Sequence, residues 1–279
     1  MPATTPDSVL DSALGSLKDW PVGHACAGVI HPGGTRTVGE ADRPFALASV
    51  TKLLSAYAAL IAVEEGAWEL DQPLGPQGST VRHLLAHASG VAFDSREQVK
   101  PVGRRRVYSS AGYEWLAEAL EGLTGIPFPE YLREAVCAPL GMDSTHLRGS
   151  AGHGAVSTLG DLLLFARELL SPRLLSQHTL DEAFAPQFPE LRGVVPGYGM
   201  HKPCPWGLGF EIHGEKKPHW LGASMPADVV GHFGMAGTFL WCAPGQGAAM
   251  VALTDREFGP WAVPLWAETN ERVWRALTD

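Results

Sequence analysis

The chain has 279 residues, of which 45% are hydrophobic and 18% charged, as in an ordinary soluble globular protein with a sizeable core. Its formal net charge of −9 argues against nucleic acid or an anionic membrane surface as the main partner. No apolar run approaches the length of a membrane span.

The first 20 residues contain no basic segment followed by an apolar core, so we expect no signal peptide. The four cysteines lie far apart and form no Cys-x-x-Cys pair, which predicts reduced, buried thiols. Both observations favour a cytoplasmic protein.

The N-terminal part predicts a helix, two strands and a second helix. The first helix covers residues 8–19, and strands at 24–30 and 35–39 are joined by a His-Pro-Gly-Gly turn. A helix from residue 49 to about 65 has apolar residues on nearly every side, which predicts that it is buried. Gly66 can end it with left-handed backbone.

The middle of the chain carries mostly helical and loop signals. Helices are predicted at 81–88, 112–123, 129–136, 161–170 and 176–184. Residues 186–205 are rich in Pro and Gly and are expected to form an irregular loop.

Strand signals return near the C-terminus, before a final helix at 260–277. The predicted strands cover 206–212, 229–233, 237–242 and 248–253. Strands near both ends predict a mixed α and β fold. One antiparallel sheet would be built from both termini and flanked by helices, with an inserted all-helical lobe.

This pattern also predicts two domains. Residues 1–52 and 205–279 would form a discontinuous sheet domain, and residues 53–204 a helical domain. The active site is expected at their interface.

Ser49 and Lys52 are three residues apart at the start of the predicted buried helix, so their side chains leave on one face. Partial desolvation would lower the pKa of the lysine until it can accept the serine proton. The pair therefore predicts nucleophilic catalysis. A helix start followed by a lysine whose amine reaches water gives the same pattern.

Tyr108-Ser109-Ser110 follows the basic run Arg104-Arg105-Arg106. Nearby cations could favour a phenolate and make Tyr108 a general base, although a buried or surface tyrosine is the simpler interpretation. The arginines indicate either a solvated loop face or a site that steers an anionic substrate.

Three glycines interrupt the predicted strand Gly231-His232-Phe233-Gly234-Met235-Ala236-Gly237-Thr238. Such a strand usually contains a bulge or is approached closely by another backbone. A substrate could lie against it, with an edge N–H group serving as an oxyanion hole. A tight contact between the sheet and a helix gives the same pattern.

His83 and His87 are four residues apart on a predicted helix, the spacing of some zinc ligands. No glutamate or third ligand stands at a familiar spacing from them. We therefore predict neither a metal nor a cofactor.

Three motifs together resemble those of a known family. Ser49-Val50-Thr51-Lys52, Tyr108-Ser109-Ser110 and His232-Phe233-Gly234 resemble the S-x-x-K, Y-x-N/S and K/H-x-G motifs of the penicillin-recognising serine hydrolases. The similarity is greatest to the class C β-lactamase-like branch, which includes DD-peptidases, D-amino-acid amidases and esterases. Further similar segments lie at residues 81–91, 139–145, 157–165, 231–238 and 253–255.

This resemblance implies a role for each matching residue. Ser49 corresponds to the nucleophile, Lys52 to its activating partner and Tyr108 to the general base. The implied substrate-binding and oxyanion residues are Ser110, His232, Gly234 and Met235, with the backbone N–H groups of Ser49 and Met235 forming the oxyanion hole.

Two departures affect the expected substrate. Ser110 stands where many β-lactamases have Asn, and Phe233 stands where they have a hydroxyl residue. In those enzymes both groups help to hold a β-lactam or D-Ala-D-Ala peptide. The leading hypothesis is therefore a serine hydrolase that cleaves a small ester or amide through an acyl-enzyme. The alternatives are a class C-type β-lactamase, a D-alanyl carboxypeptidase or D-amino-acid amidase, and a non-catalytic binding protein on this fold.

Overall fold

The computed structural model describes residues 6–278, so residues 1–5 and 279 of the predicted sheet domain lie outside it. The helices are α1 (Pro6–Gly15), α2 (Thr51–Glu64), α3 (Val81–Leu85), α4 (Ala111–Thr124), α5 (Phe128–Leu132), α6 (Ala138–Leu140), α7 (Leu159–Leu170), α8 (Gln177–Phe184) and α9 (Ala262–Thr278). The strands are β1 (Ala25–His31), β2 (Gly34–Val38), β3 (Phe45–Ala46), β4 (His146–Leu147), β5 (Ala155–Ser157), β6 (Gly193–Val195), β7 (Gly199–His201), β8 (Glu211–Ile212), β9 (Val230–Gly234), β10 (Thr238–Ala243) and β11 (Ala248–Thr254).

A six-stranded sheet organises the fold, with strand order β2-β1-β11-β10-β9-β8. All its pairings are antiparallel, and β1 from the N-terminal part pairs with β11 from the C-terminal part. The predicted antiparallel sheet built from both ends of the chain is therefore confirmed.

Helices cover both faces of this sheet, as predicted. Every residue of β11 is buried, because alternate side chains face opposite layers. Val251 packs with α2, α4 and α7 in one apolar cluster. Met250 packs with α1 and α9 in the other. The layer of α2, α4 and α7 carries part of the site described below.

Helix α2 is buried along most of its length, as its apolar surface predicts. Every residue from 51 to 62 is buried, including Lys52. The chain leaves this helix through Gly66, whose φ of 75° is the left-handed conformation expected there.

Two segments differ from the sequence prediction. Only β8 forms within the strand predicted at 206–212, because the preceding residues turn. Gly207 donates a backbone hydrogen bond to Phe210, and Gly209 has φ +97°. A Cβ on Gly209 would lie 2.2 Å from that of Ala56, so this turn rests directly on α2.

The inserted segment is mostly helical but also contains short strands. The loop predicted at 186–205 contains the hairpin of β6 and β7. Strands β4 and β5 join β3 in a second small sheet. The division into domains at residues 52 and 205 remains a prediction. Within residues 6–278, none of the helices has the length and apolarity needed to cross a membrane.

Candidate active site

The fold brings the three predicted motifs together. Ser49 and Lys52 lie at the start of α2, and Tyr108 and Ser110 lie just before α4. His232 and Gly234 lie on β9, and Met235 directly follows that strand. A cavity of about 360 Å³ opens beside Ser49, and Tyr108, His232 and Met235 line it too.

Ser49 lies in a 3₁₀ turn, Ala48–Val50, between β3 and α2. Ala48 has φ +44°, a conformation that costs a non-glycine residue roughly 1–3 kcal/mol. The N–H of Ser49 belongs to the first turn of a helical segment, where backbone N–H groups lack an intrahelical acceptor. It is thus available to an oxyanion.

Gly234 allows β9 to approach the backbone that carries Ser49. A Cβ at this position would lie 2.2 Å from the carbonyl oxygen of Leu47 and 2.6 Å from the Thr238 hydroxyl. The Thr238 hydroxyl in turn donates a 2.9 Å hydrogen bond to the Leu47 carbonyl. The close approach of another part of the backbone therefore accounts for the glycine at position 234. This is one of the arrangements expected for a strand interrupted by glycines.

The Lys52 side chain is 0% exposed and has three polar neighbours. Its Nζ lies 3.3 Å from Ser49 Oγ, 3.1 Å from Ser110 Oγ and 2.7 Å from the Gly152 carbonyl oxygen. Burial lowers the pKa of Lys52 to about 7, while the more distant Glu114 carboxylate acts in the opposite direction. A substantial neutral fraction is therefore present near neutral pH.

These three neighbours can each accept a hydrogen bond from the Lys52 ammonium, and they also accommodate the neutral amine. A carbonyl oxygen can only accept, so one N–H of Lys52 must point at Gly152, and a second can point at Ser110. The lone pair of a neutral amine is then left for the Ser49 hydroxyl proton. This arrangement can move a proton from Ser49 Oγ to Lys52 Nζ.

Tyr108 is joined to β9 through His232. His232 Nδ1 lies 2.6 Å from the carbonyl oxygen of Phe233, so Nδ1 carries the proton and donates it. The other ring nitrogen, Nε2, then accepts from the Tyr108 hydroxyl at 3.3 Å. Burial, aided by the Lys52 charge, lowers the pKa of His232 to about 3, so the imidazole is neutral.

The expected phenolate at Tyr108 is not supported. Tyr108 is half-buried, and desolvation raises its pKa despite the opposing hydrogen bond with the Ser49 hydroxyl. Arg106 does not face the phenol, because its guanidinium donates to the carbonyl groups of Ala86, Gln187, Phe188 and Cys204. Tyr108 is therefore a phenol at neutral pH.

His87 helps to fix the position of Tyr108. Its ring centroid lies 4.6 Å from that of Tyr108, and its Nδ1 accepts a 3.2 Å hydrogen bond from the N–H of Ser109. His83 instead stacks on Phe188 at 4.4 Å. Within residues 6–278, no group of three or more His, Cys, Asp or Glu side chains could hold a metal ion.

The walls of the cavity at Ser49 are mainly apolar. They include Phe93, Val195, Pro196, Trp206 and Phe233. Phe233 also packs against the rings of Tyr198, Trp220, Phe258 and Trp266 at 5.1–6.0 Å. Phe233 lacks a hydrogen-bond donor and is also part of the apolar core. Truncating such a buried phenylalanine typically lowers the free energy of unfolding by about 3–5 kcal/mol.

Several contributors to the site were not predicted from the sequence, including the apolar wall residues Phe93, Val195 and Pro196. Gly152 supplies a carbonyl oxygen to Lys52, and Trp206 and Glu211 line the cavity. Glu211 is fully buried, with Lys216 and Trp220 each donating to its carboxylate at 2.9 Å. No local pattern distinguishes these residues, because long-range packing brings them to the site.

Comparison with known proteins places the chain in a family. The Beta-lactamase family model matches residues 16–271. A β-lactamase crystal structure from Mycobacterium bovis has 50% sequence identity and a TM-score of 0.94, covering 96% of this chain and 100% of that one. The structure of simvastatin synthase from Aspergillus terreus, in a mutant form, has 19% identity and a TM-score of 0.79, covering 99% and 96%.

Sequence relatives with curated names are more distant. Monacolin J acid methylbutanoyltransferase from Aspergillus terreus is 28% identical over 37% of this chain and 38% of its own length. An acyltransferase from Monascus pilosus is 27% identical over 36% and 37%. The chain thus matches less than two fifths of the length of these relatives.

The fold and these relatives define a serine hydrolase-type enzyme with a β-lactamase-like fold. The chain belongs to the Beta-lactamase family. The predicted resemblance and fold class are therefore confirmed.

Proposed function

We propose that this protein hydrolyses small esters or amides through an acyl-enzyme formed on Ser49. The observation that carries the proposal is the buried Lys52 amine, 3.3 Å from Ser49 Oγ, with a pKa lowered to about 7. Burying a lysine without a direct carboxylate partner lowers the stability of a fold. A lysine kept in such a place therefore indicates that its chemistry is used.

In the acylation step, Ser49 Oγ attacks the substrate carbonyl carbon while its proton passes to Lys52 Nζ. The carbonyl oxygen becomes an oxyanion, held by the N–H groups of Ser49 and Met235. The bond to the leaving group then breaks. Tyr108 donates its hydroxyl proton to the leaving atom and is reprotonated from Lys52, which returns the pair to its starting state.

Deacylation follows the same path in reverse, with water as the nucleophile. Water gives a proton to the Lys52–Tyr108 pair, its oxygen bonds to the acyl carbon, and Ser49 Oγ leaves with a proton. The resemblance assigns the base role to Tyr108. The pKa directions favour neutral Lys52 as the first proton acceptor and phenolic Tyr108 as the donor to the leaving group.

An uncharged, apolar acyl group suits the cavity at Ser49 best. Its apolar walls stabilise such a group, and no cationic side chain is part of its lining. Ser110 and Phe233 replace the two side chains by which related enzymes hold a β-lactam. A reactive ester can still be cleaved without those anchors, so we propose esters as the preferred substrates.

Two other functions share the acyl-enzyme. The 50% identity to the Mycobacterium bovis protein described as a β-lactamase favours β-lactam hydrolysis. The names of the curated relatives favour transfer of the acyl group to an acceptor other than water.

One substrate panel separates these functions. We expect kcat/KM for 4-nitrophenyl butanoate to exceed that for a chromogenic cephalosporin on the same preparation, with no activity in Ser49→Ala. A higher kcat/KM for the cephalosporin would make β-lactamase the better assignment. Ester product in place of acid, when a small alcohol is added, would indicate acyl transfer.

A further inference from the structure

We propose that a second chamber beside the Ser49 cavity binds the leaving-group half of the substrate, an apolar alcohol that carries a carboxylate. The inference rests on the proposed function, because it assigns a place to the group released from Ser49. We call this region the basic chamber; it is lined by Phe93, Val99, Lys100, Arg105, Arg106, Val107, Tyr108, Val194 and Pro196.

The basic chamber adjoins the Ser49 cavity on its Tyr108 side. Its volume is about 320 Å³, and it shares Phe93, Tyr108 and Pro196 with the Ser49 cavity. Tyr108 is the proposed proton donor to the leaving atom, so the leaving group must be in contact with Tyr108. A group released there, while the acyl half remains on Ser49, would extend into the basic chamber.

The rims of the Ser49 cavity and of the basic chamber are apolar and exposed. Phe93 is 55% exposed, Val194 47% and Met235 49%. Phe93 also stacks on Tyr108, with ring centroids 6.0 Å apart. Neighbouring exposed apolar side chains of this kind favour a ligand with an apolar body, since covering them removes apolar surface from water.

Two cations of the basic chamber are free to bind a ligand. Among the described residues, neither Lys100 nor Arg105 forms an ion pair, and the Arg105 guanidinium makes one hydrogen bond, to the Met200 sulfur at 4.0 Å. Arg106 is occupied by backbone carbonyl groups. The chain as a whole carries a net charge of −9, so two unpaired cations in one apolar chamber differ from the rest of the protein. Their local positive charge favours an anionic ligand in the chamber. A guanidinium can bind a carboxylate through two parallel hydrogen bonds.

Backbone hydrogen bonds hold the wall of the basic chamber in place. The N–H of Lys100 donates to the Gly90 carbonyl at 3.2 Å. On either side of Arg105, the N–H of Arg104 donates to Pro101 and that of Arg106 to Arg192. The cations therefore extend from an ordered segment, which reduces the entropy lost when a ligand binds.

The location separates this chamber from the third motif on β9. In related enzymes a hydroxyl residue of that motif helps to hold the substrate carboxylate, and Phe233 has replaced it here. The basic chamber lies instead on the segment 99–107, which contains the whole arginine run noted in the sequence, and Arg105 and Arg106 of that run line the chamber.

Two chromogenic esters with the same acyl group test the proposal. 5-Butanoyloxy-2-nitrobenzoate releases a nitrophenol that carries a carboxylate, and 4-nitrophenyl butanoate releases one without it. We expect the wild type to prefer the carboxylate ester by kcat/KM. In Lys100→Gln/Arg105→Gln this preference should fall by about tenfold or more, the scale of one charge-assisted hydrogen bond.

Arg104→Gln is the matched control, since Arg104 is an exposed neighbour that does not line the basic chamber. It should leave the ratio of the two kcat/KM values unchanged. Added salt should reduce the wild-type preference because the cations are accessible to solvent. The inference is overturned if the double variant keeps the wild-type ratio, or if Arg104→Gln lowers it equally. Absence of Ser49-dependent hydrolysis of both esters would instead contradict the proposed function and this inference with it.

Discussion

The Nζ atom of Lys52 lies 3.3 Å from the Oγ atom of Ser49, inside a helix layer where the lysine side chain has no exposure to solvent. Its closest acceptor is the Gly152 carbonyl oxygen, and within residues 6–278 no carboxylate forms an ion pair with it. Burial without a counter-ion is what lowers the pKa of Lys52, and this turns an ordinary cation into a base beside a hydroxyl.

The pH dependence of turnover should report this base. In the proposed mechanism neutral Lys52 is the reactive form, so kcat/KM should rise with pH, with a midpoint near the Lys52 pKa of about 7. Below the midpoint the rate should fall about tenfold per pH unit. Stopped-assay kinetics on 4-nitrophenyl butanoate from pH 5 to 9 would measure it.

Glu114 provides a control for that assignment. Its charge raises the pKa of Lys52, so Glu114→Gln should move the midpoint to lower pH. His232, whose pKa is lowered to about 3, does not account for a midpoint near 7. A flat profile between pH 5.5 and 8.5 would contradict the role given to Lys52.

Removing the Tyr108 hydroxyl should slow the chemistry and spare the fold. We expect Tyr108→Phe to lower the single-turnover rate by roughly 10²–10⁴-fold, the usual size of a general acid–base contribution. Tyr113→Phe is the matched control, because Tyr113 is buried nearby and its hydroxyl donates to the Leu85 carbonyl. Equal rates in the two variants would rule out the Tyr108 assignment.

Much of the site could be predicted because its signals are local. The spacing of Ser49 and Lys52 fixes their shared face wherever the helix forms. The burial of α2 follows from apolar residues on all its sides. The charge state of Tyr108 could not be predicted, because its pKa depends on how the fold desolvates it. The strand predicted at 206–212 was mostly wrong, because the turn at Gly209 is set by its packing on α2.

Lys52 should also make the stability of the protein depend on pH. Its pKa is lower in the folded state than in the unfolded chain, so the unfolded state binds more protons between about pH 7 and 10.5. The free energy of unfolding should therefore rise with pH across this window because of Lys52. Lys52→Met should lack this contribution, of about 1.4 kcal/mol per unit of pKa difference.

Urea unfolding of both proteins at pH 7, 8.5 and 10 would measure the effect. Loss of the hydrogen bond to Gly152 should change the free energy of unfolding of Lys52→Met by the same amount at every pH. We expect the stability of Lys52→Met relative to the wild type to be greatest at pH 7 and to decline towards pH 10. A constant difference across the three pH values would show that Lys52 is not desolvated as described.

The central claim is that Ser49 is a nucleophile that forms a covalent bond with the substrate. Intact-mass spectrometry with a serine-reactive probe tests this claim most directly. After treatment with a fluorophosphonate probe, the wild type should gain the mass of one phosphonyl group. Peptide mapping should place that group on Ser49, and Ser49→Ala should remain unmodified. Either an unmodified wild type or an adduct that persists in Ser49→Ala would contradict the account and favour a non-catalytic binding protein on this fold.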